Sequence, residues 1–224
     1  MIYITGDTHG DYDWSKLNSS KFPQGKNLTR DDYVIICGDF GGVWDGDKQD
    51  NYILSWYENK PWTTLFVDGN HENHNKLNEY PIEMWNGGKI HRIRPHIIHL
   101  MRGQVFTINN KTFFVMGGAE SIDKHLRKEN ISWWPEEMPN NDEYEEGFIN
   151  LQKHNDNIDY ILAHCAPDSI QDIISCGSYL HNRLTNYLEI TVRSIKFLHF
   201  YCGHYHIDKD IGKFSILYNK IIAL

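Results

Sequence analysis

Short clusters of Asp, His, Asn and Gly recur along this chain, each at the end of an apolar run. They are Gly6-Asp7-Thr8-His9-Gly10-Asp11, Gly38-Asp39, Gly69-Asn70-His71-Glu72, a lone His164, and Gly203-His204-Tyr205-His206. Carboxylates and an amide oxygen suit hard divalent cations, whereas imidazoles suit Zn, Fe, Mn or Ni, so the mixture points to a borderline transition metal. Asp7, His9, Asp39, Asn70, His164, His204 and His206 are more donors than one ion takes. They fill two sites if one carboxylate bridges, at the roughly 3.5–4 Å separation of two-metal hydrolases.

The elements that must position these clusters are strands. Residues 2–5, 33–37, 65–67, 160–163 and 197–202 are short apolar runs with polar or glycine-bearing exits, the pattern of strands buried on both faces of a sheet. In open α/β sheets ligands bind outside the carboxyl ends of the strands, so all five clusters can converge there. Residues 97–100, 104–108 and 112–116 read as an antiparallel stretch turning at Asn109-Asn110, and 213–217 with 220–224 repeat that pattern around Tyr218-Asn219. Leu180, Leu184, Tyr187, Leu188 and Ile195 recur at helical spacing, and residues 50–57 suit a short amphipathic helix. Strands alternating with helices and interrupted by hairpins imply an α/β fold with mixed sheets.

Length and composition bound the rest. The 224 residues, 40% of them hydrophobic and with no repeat or linker, read as one domain, 1–224. A net charge of -8 argues against a protein that coats nucleic acid, which needs a basic surface. No run approaches the roughly 20 apolar residues of a membrane span, the N-terminus lacks a secretory leader, and the four cysteines form no C-x-x-C pair. A reduced, cytoplasmic protein is expected, with the cysteines as small buried hydrophobes. Other chemistries lack their residues. No cysteine has an arginine six positions on, no G-x-x-x-x-G-K-[ST] loop exists, His71-Glu72-Asn73-His74 is one residue short of H-E-x-x-H, and H-x-H-x-D-H is missing.

The ordered blocks Asp-x-His, Gly-Asp, Gly-Asn-His-Glu, a lone His and Gly-His-x-His, spanning Asp7 to His206, resemble the calcineurin-like metallophosphoesterase superfamily. That resemblance implies a four-layer α/β/β/α sandwich with a dinuclear centre at its edge. It implies Asp7, His9 and His206 on one metal, Asn70, His164 and His204 on the other, and Asp39 bridging as a catalytic ligand. His71 matches the histidine that contacts phosphate and assists the leaving group, and Asn70 and His71 both face substrate. Glu72 completes a block similar to the protein-phosphatase version. The chain departs from that version at Gly38-Asp39-Phe40-Gly41-Gly42-Val43, where protein phosphatases carry Gly-Asp-x-x-Asp-Arg. Phosphate must then be held by the metals, by His71 or by another cation, for which Arg127 is the candidate.

The expected activity is hydrolysis of a small phosphate monoester or diester, with a nucleotide as one option, by a hydroxide held on two divalent ions (Mn, Fe, Zn or Ni). His71, with an ordinary pKa near ~6.5, is the expected general acid, and ligation by neutral imidazoles and ionised carboxylates means activity is lost in acid. The alternatives are a Ser/Thr-type protein phosphatase, a nuclease (disfavoured by the charge) and a non-catalytic binding module, which would be expected to have lost ligands. Away from the clusters, His91, His96, His99, His125, His154, His181 and His199 are expected to be structural, with His74 open between a site role and exposure. Asp11 is expected to brace the first loop, Trp133-Trp134-Pro135 to pack, or else offer a wall to an aryl group or base, and residues 143–146 to form a solvated helix face. Trp44, Trp85 and the Asn86-Gly87-Gly88 turn are candidates to line a cleft.

Overall fold

The fold is described from a computed structural model of residues 1–224. Strands β1 (Ile2–Thr5), β2 (Tyr33–Cys37) and β3 (Thr63–Val67) are joined through helix α1 (Lys48–Glu58), and helix α2 (His74–Leu77) leads into β4 (Ile82–Trp85), β5 (Gly88–Arg94) and β6 (Ile97–Leu100). The hairpin β7 (Gln104–Ile108) and β8 (Lys111–Met116) is followed by helix α3 (Asn141–Lys153), β9 (Asn157–Ala163), helices α4 (Asp168–Ser175) and α5 (Arg183–Ser194), and β10 (Lys196–Cys202). Short strands β11 (Lys209–Ile211), β12 (Phe214–Ile216) and β13 (Ile222–Ala223) close the chain.

Two mixed sheets result, with strand orders β13-β1-β2-β3-β6-β5-β4 and β11-β12-β10-β9-β8-β7. Strands β1, β2 and β3 run parallel in the first, and β8, β9 and β10 run parallel in the second. Because side chains alternate faces along a strand, each apolar run feeds two cores. Ile35 and Cys37 of β2 meet Phe113 and Val115 of β8 between the sheets. Val34 and Ile36 point the other way, onto Ile53, Leu54 and Tyr57 of α1. On the far side Phe114 and Met116 of β8 and Phe200 of β10 pack under Leu151, Ile170, Leu184 and Leu188. Three cores between four layers make the expected α/β/β/α sandwich. Three helices begin where side chains satisfy their free N–H groups: Asp47 caps α1, and capping boxes at Asn140/Glu143 and Asn182/Thr185 open α3 and α5.

Several expectations need correction. Residues 213–217 and 220–224 form no hairpin: β12 pairs with β10 in one sheet, and β13 crosses to pair antiparallel with β1 in the other. The antiparallel pair expected to turn at Asn109-Asn110 forms as β7–β8, but β6 does not extend it: β6 joins β3 and β5 in the first sheet while β7 and β8 start the second. Leu180 lies outside α5 and is exposed, because Asn182 starts the helix. Residues 143–146 are not a purely solvated face, since Tyr144 is buried and Glu143 reaches Arg102.

Behind the exit of β3 lies a buried polar knot. Asp68 accepts from Arg102 Nε at 2.8 Å and also from its Nη2, and lies 3.2 Å from His99 Nε2. Arg102 also donates to the Glu136 and Glu137 carbonyls, fastening the segment after β8. Burial pushes the Asp68 carboxyl up, but the guanidinium and His99 override it and hold it far below the ordinary 3.8. The pairing therefore stabilises the fold fully above that value and is lost as pH falls. Arg102→Ala leaves Asp68 buried beside only a histidine and is expected to cost about 3–5 kcal/mol, read by urea unfolding at neutral pH; a loss below about 1 kcal/mol would contradict this.

Candidate metal centre

The five clusters converge where the parallel strands of both sheets end. Asp7 and His9 follow β1, Asp39 follows β2, Asn70 and His71 follow β3, His164 follows β9, and His204 and His206 follow β10. His9, Asp39, His204 and His206 all adopt left-handed backbone, with φ of 43°, 48°, 68° and 51°, a conformation that non-glycine residues avoid unless their surroundings enforce it. The enforcement is visible. The N–H groups of Thr8 and His9 both donate to the Asp39 carbonyl, at 3.0 and 2.8 Å, locking the β1 and β2 exits together. Two glycines make room: a Cβ at Gly69 would collide with Asp39 Oδ1, and one at Gly38 (φ 92°) with the His164 ring.

Carboxylate and imidazole atoms meet in three groups at ligand spacing: Asp7, His9 and His206; His9, Asp39 and His71; and Asp7, Asp39 and His164. Asp7 Oδ2 lies 3.1 Å from His206 Nε2, and Asp39 Oδ2 lies 3.2 Å from His9 Nε2 and 3.3 Å from His164 Nε2. Asn70 Oδ1 sits 3.2 Å from His164 Nε2. His204 belongs to none of the three groups. Its ring stands edge-on to His164, 5.0 Å between centroids, while its backbone N–H donates to Asp7 at 3.0 Å. His71 is drawn in twice, by its ring and by its backbone N–H, which donates to Asp39 Oδ1 at 2.7 Å.

This donor set fits divalent cations on its own evidence. Asp7 and Asp39 are 0% and 1% exposed, and a pair of buried carboxylates demands positive charge. The imidazoles are pre-aimed. His9 Nδ1 is committed to Asp13 Oδ2 at 2.8 Å and His164 Nδ1 to the Cys37 carbonyl at 2.9 Å, which leaves each Nε2 facing the carboxylates. Burial and the neighbouring His164 pull His204 down to about 4, so its imidazole is neutral, as ligation requires. Burial opposes protonation of His164, but Asp39 and Asp7 outweigh it and lift it to about 10. Burial also pushes Asp39 up, and the His164 and His9 imidazoles reverse this, holding it well below the carboxylate range.

Several supporting residues escaped the sequence reading. Asp13, four residues after His9, also accepts from Tyr218 Oη at 3.0 Å, and the Tyr218 ring stacks on His206 with centroids 4.8 Å apart. Buried Lys16 donates to the carbonyls of Gly6, Asp7 and Tyr218, tying the β1 exit to the C-terminal crossing. The i, i+4 spacing of His9 and Asp13 was a usable signal; Tyr218 and Lys16 offered none. Glu72, expected only to complete a motif, accepts from the N–H groups of Phe40 (2.7 Å) and Gly41 (3.2 Å) and so shapes the Asp39 loop from below.

Arg127 does reach the site. Its Nη1 and Nη2 lie 3.2 and 3.3 Å from His71 Nδ1 and Nε2, so the guanidinium sits against both ring nitrogens. Asp123 holds its Nε at 2.8 Å. Burial, with help from Arg127, lowers the His71 pKa against the pull of Asp39, so the imidazole does not keep its ordinary value. His74 is neither exposed nor at the centre: it is buried, 3.2 Å from the Gly69 carbonyl. Asp11 bonds Gln49 of α1, a brace for the first loop. Trp134 is buried edge-on to Trp44, as a packed loop requires, and Trp44 lines an open cavity of about 1140 Å³ with His9, His71, His206 and Tyr12. Trp85 lies elsewhere, against Tyr33 and Phe106, so neither it nor the adjacent turn lines that cleft.

The calcineurin-like phosphoesterase family matches residues 1–208, nearly the whole chain, and the chain belongs to that family. Divalent-metal binding and phosphoester hydrolysis are what the family brings. Among proteins of curated function no match is found. No helix is long and apolar enough to cross a membrane.

Were His164 Nε2 to hold a cation, the proton that Asp39 and Asp7 favour on its ring would have to leave. Titrating the metal-free protein with Mn²⁺ at pH 8 in buffers of different ionisation enthalpy should register release of about one proton or more per chain. Heats independent of the buffer would contradict this.

Proposed function

We propose that this chain hydrolyses small phosphate monoesters or diesters, with nucleotides within range, using two divalent cations drawn from Mn, Fe, Zn and Ni. Asp7, His9 and His206 would hold one cation, Asn70, His164 and His204 the other, and Asp39 would bridge them. The observation that carries this reading is Asp39 Oδ2, 3.2 Å from His9 Nε2 and 3.3 Å from His164 Nε2. One carboxylate oxygen thus faces an imidazole from each proposed set. Bound divalent cations supply Lewis acidity, bringing a water's pKa toward neutrality and offsetting phosphate charge.

The chain's own residues supply the rest. The His71 ring borders the cavity, with the Arg127 guanidinium against both its nitrogens, and would serve the substrate. Its lowered pKa makes any proton it carries readily given to a departing alkoxide. Arg127, clamped by Asp123, adds fixed positive charge at the edge of the site for a phosphate oxygen. Trp44 and the exposed Tyr12 offer aromatic surface to the remainder of the ester. Four free cysteines suit a reducing compartment, and the cytoplasm is the proposed location.

The test is turnover of p-nitrophenyl phosphate and bis(p-nitrophenyl) phosphate by Mn²⁺-loaded protein. Asp39→Asn should lower kcat/KM at least about 100-fold with an unchanged circular dichroism spectrum. Failure of the wild type to hydrolyse either ester, or wild-type rates in Asp39→Asn, would overturn the proposal.

A further inference from the structure

An asparagine side chain is two-faced, with an acceptor oxygen on one side and a donor NH2 on the other, and only the oxygen can serve a cation. A half-turn about its last bond therefore decides whether Asn70 is a ligand or a repellent. Nothing within the Gly69–Glu72 loop settles that choice. The segment that follows β8 does.

Asn70 Nδ2 lies 3.2 Å from Ser121 Oγ. A hydroxyl has one proton, and that of Ser121 is committed to Glu137 Oε2 at 2.7 Å. The Ser121 oxygen can therefore only accept, and what it accepts is the Asn70 NH2. Glu137 is fixed in turn: it is 0% exposed, its Oε1 takes the Ser121 backbone N–H at 2.9 Å, and Lys124 Nζ lies 3.1 Å from the same oxygen. Hydrogen-bond direction thus runs one way from Asn70 through Ser121 to the Glu137 carboxylate, whose other oxygen already takes a backbone N–H and Lys124. Asn70 Oδ1 is left on the opposite side, 3.2 Å from His164 Nε2 and facing the carboxylate–imidazole cluster.

We propose that Ser121 and Glu137 are positioning residues that set the Asn70 amide with its oxygen, rather than its NH2, toward the metal centre. This rests on the reading of Asn70 as a ligand of the second cation. A glutamine at 137 can turn its own NH2 to Ser121 Oγ, freeing the hydroxyl proton to point at Asn70 and reversing the chain. An alanine at 121 removes the acceptor altogether, and a threonine keeps it.

The test is equilibrium titration of metal-free protein with Mn²⁺, paired with the melting temperature of the same metal-free samples. Wild type should take up two Mn²⁺. Ser121→Ala and Glu137→Gln should bind one of them about 10–100-fold more weakly and leave the other unchanged. Ser121→Thr should retain both affinities, and the metal-free melting temperature of Ser121→Ala should move by no more than about 4 °C. Wild-type affinity at both sites in Ser121→Ala overturns the inference, as does equal weakening of both sites alongside a larger melting shift, the signature of a merely structural role. Ser121→Ala removes a single oxygen and decides the matter should Glu137→Gln not fold. If wild type itself takes up fewer than two Mn²⁺, the two-cation reading fails first and this inference with it, an outcome distinct from two-site binding that survives in Ser121→Ala.

Discussion

Two carboxylates, Asp7 and Asp39, are buried at the seam between two sheets, away from bulk solvent. Negative charge in such a place is tolerated only where positive charge and N–H groups converge on it. Much of the site follows from meeting that demand. Backbone N–H groups from His204 and His71 donate to the carboxylates, and imidazoles from the exits of four strands surround them. The left-handed residues and the glycines of the Gly-Asp and Gly-Asn steps are what the chain must adopt to bring so many strand ends so close.

The sandwich is the frame that makes this convergence rigid. Half of each parallel strand's side chains form the core between the sheets, so the exits of β1–β3 and of β9–β10 are held at a fixed separation. Further ties cross the seam at the site itself. The Gly203 N–H donates to the His164 carbonyl, His164 Nδ1 meets the Cys37 carbonyl, and Arg102 fastens Asp68 to the segment carrying Ser121, Arg127 and Glu137. That last segment touches both Asn70 and His71, which makes it part of the site although none of its residues faces the two carboxylates.

The convergence of the seven candidate donors was legible in the sequence because each follows an apolar run that reads as a strand, and strand ends in such folds gather on one edge. The continuous apolar run 33–37 was enough to foresee a strand buried on both faces, as it is between the inter-sheet core and the α1 core. The supporting residues were less legible for a physical reason: Ser121, Glu137, Tyr218 and Lys16 reach the site through tertiary contacts that no local spacing encodes. The C-terminal strands misled because Tyr218-Asn219 is a good turn, yet an open strand edge on each sheet, β10 and β1, competes for the flanking runs and takes one each. His71 shows the limit in energetic form. Its type and place suggested a general acid at its ordinary pKa, while burial and the Arg127 guanidinium, neither contact visible in sequence, lower it.

The central claim is that Asp39 is shared by two cations. Electron paramagnetic resonance of the protein loaded with two equivalents of Mn²⁺ tests this most directly. A shared carboxylate predicts exchange-coupled Mn²⁺ pairs, with coupling lost in Asp39→Asn. The hyperfine pattern of isolated Mn²⁺ in the wild type, at full loading, would contradict the account.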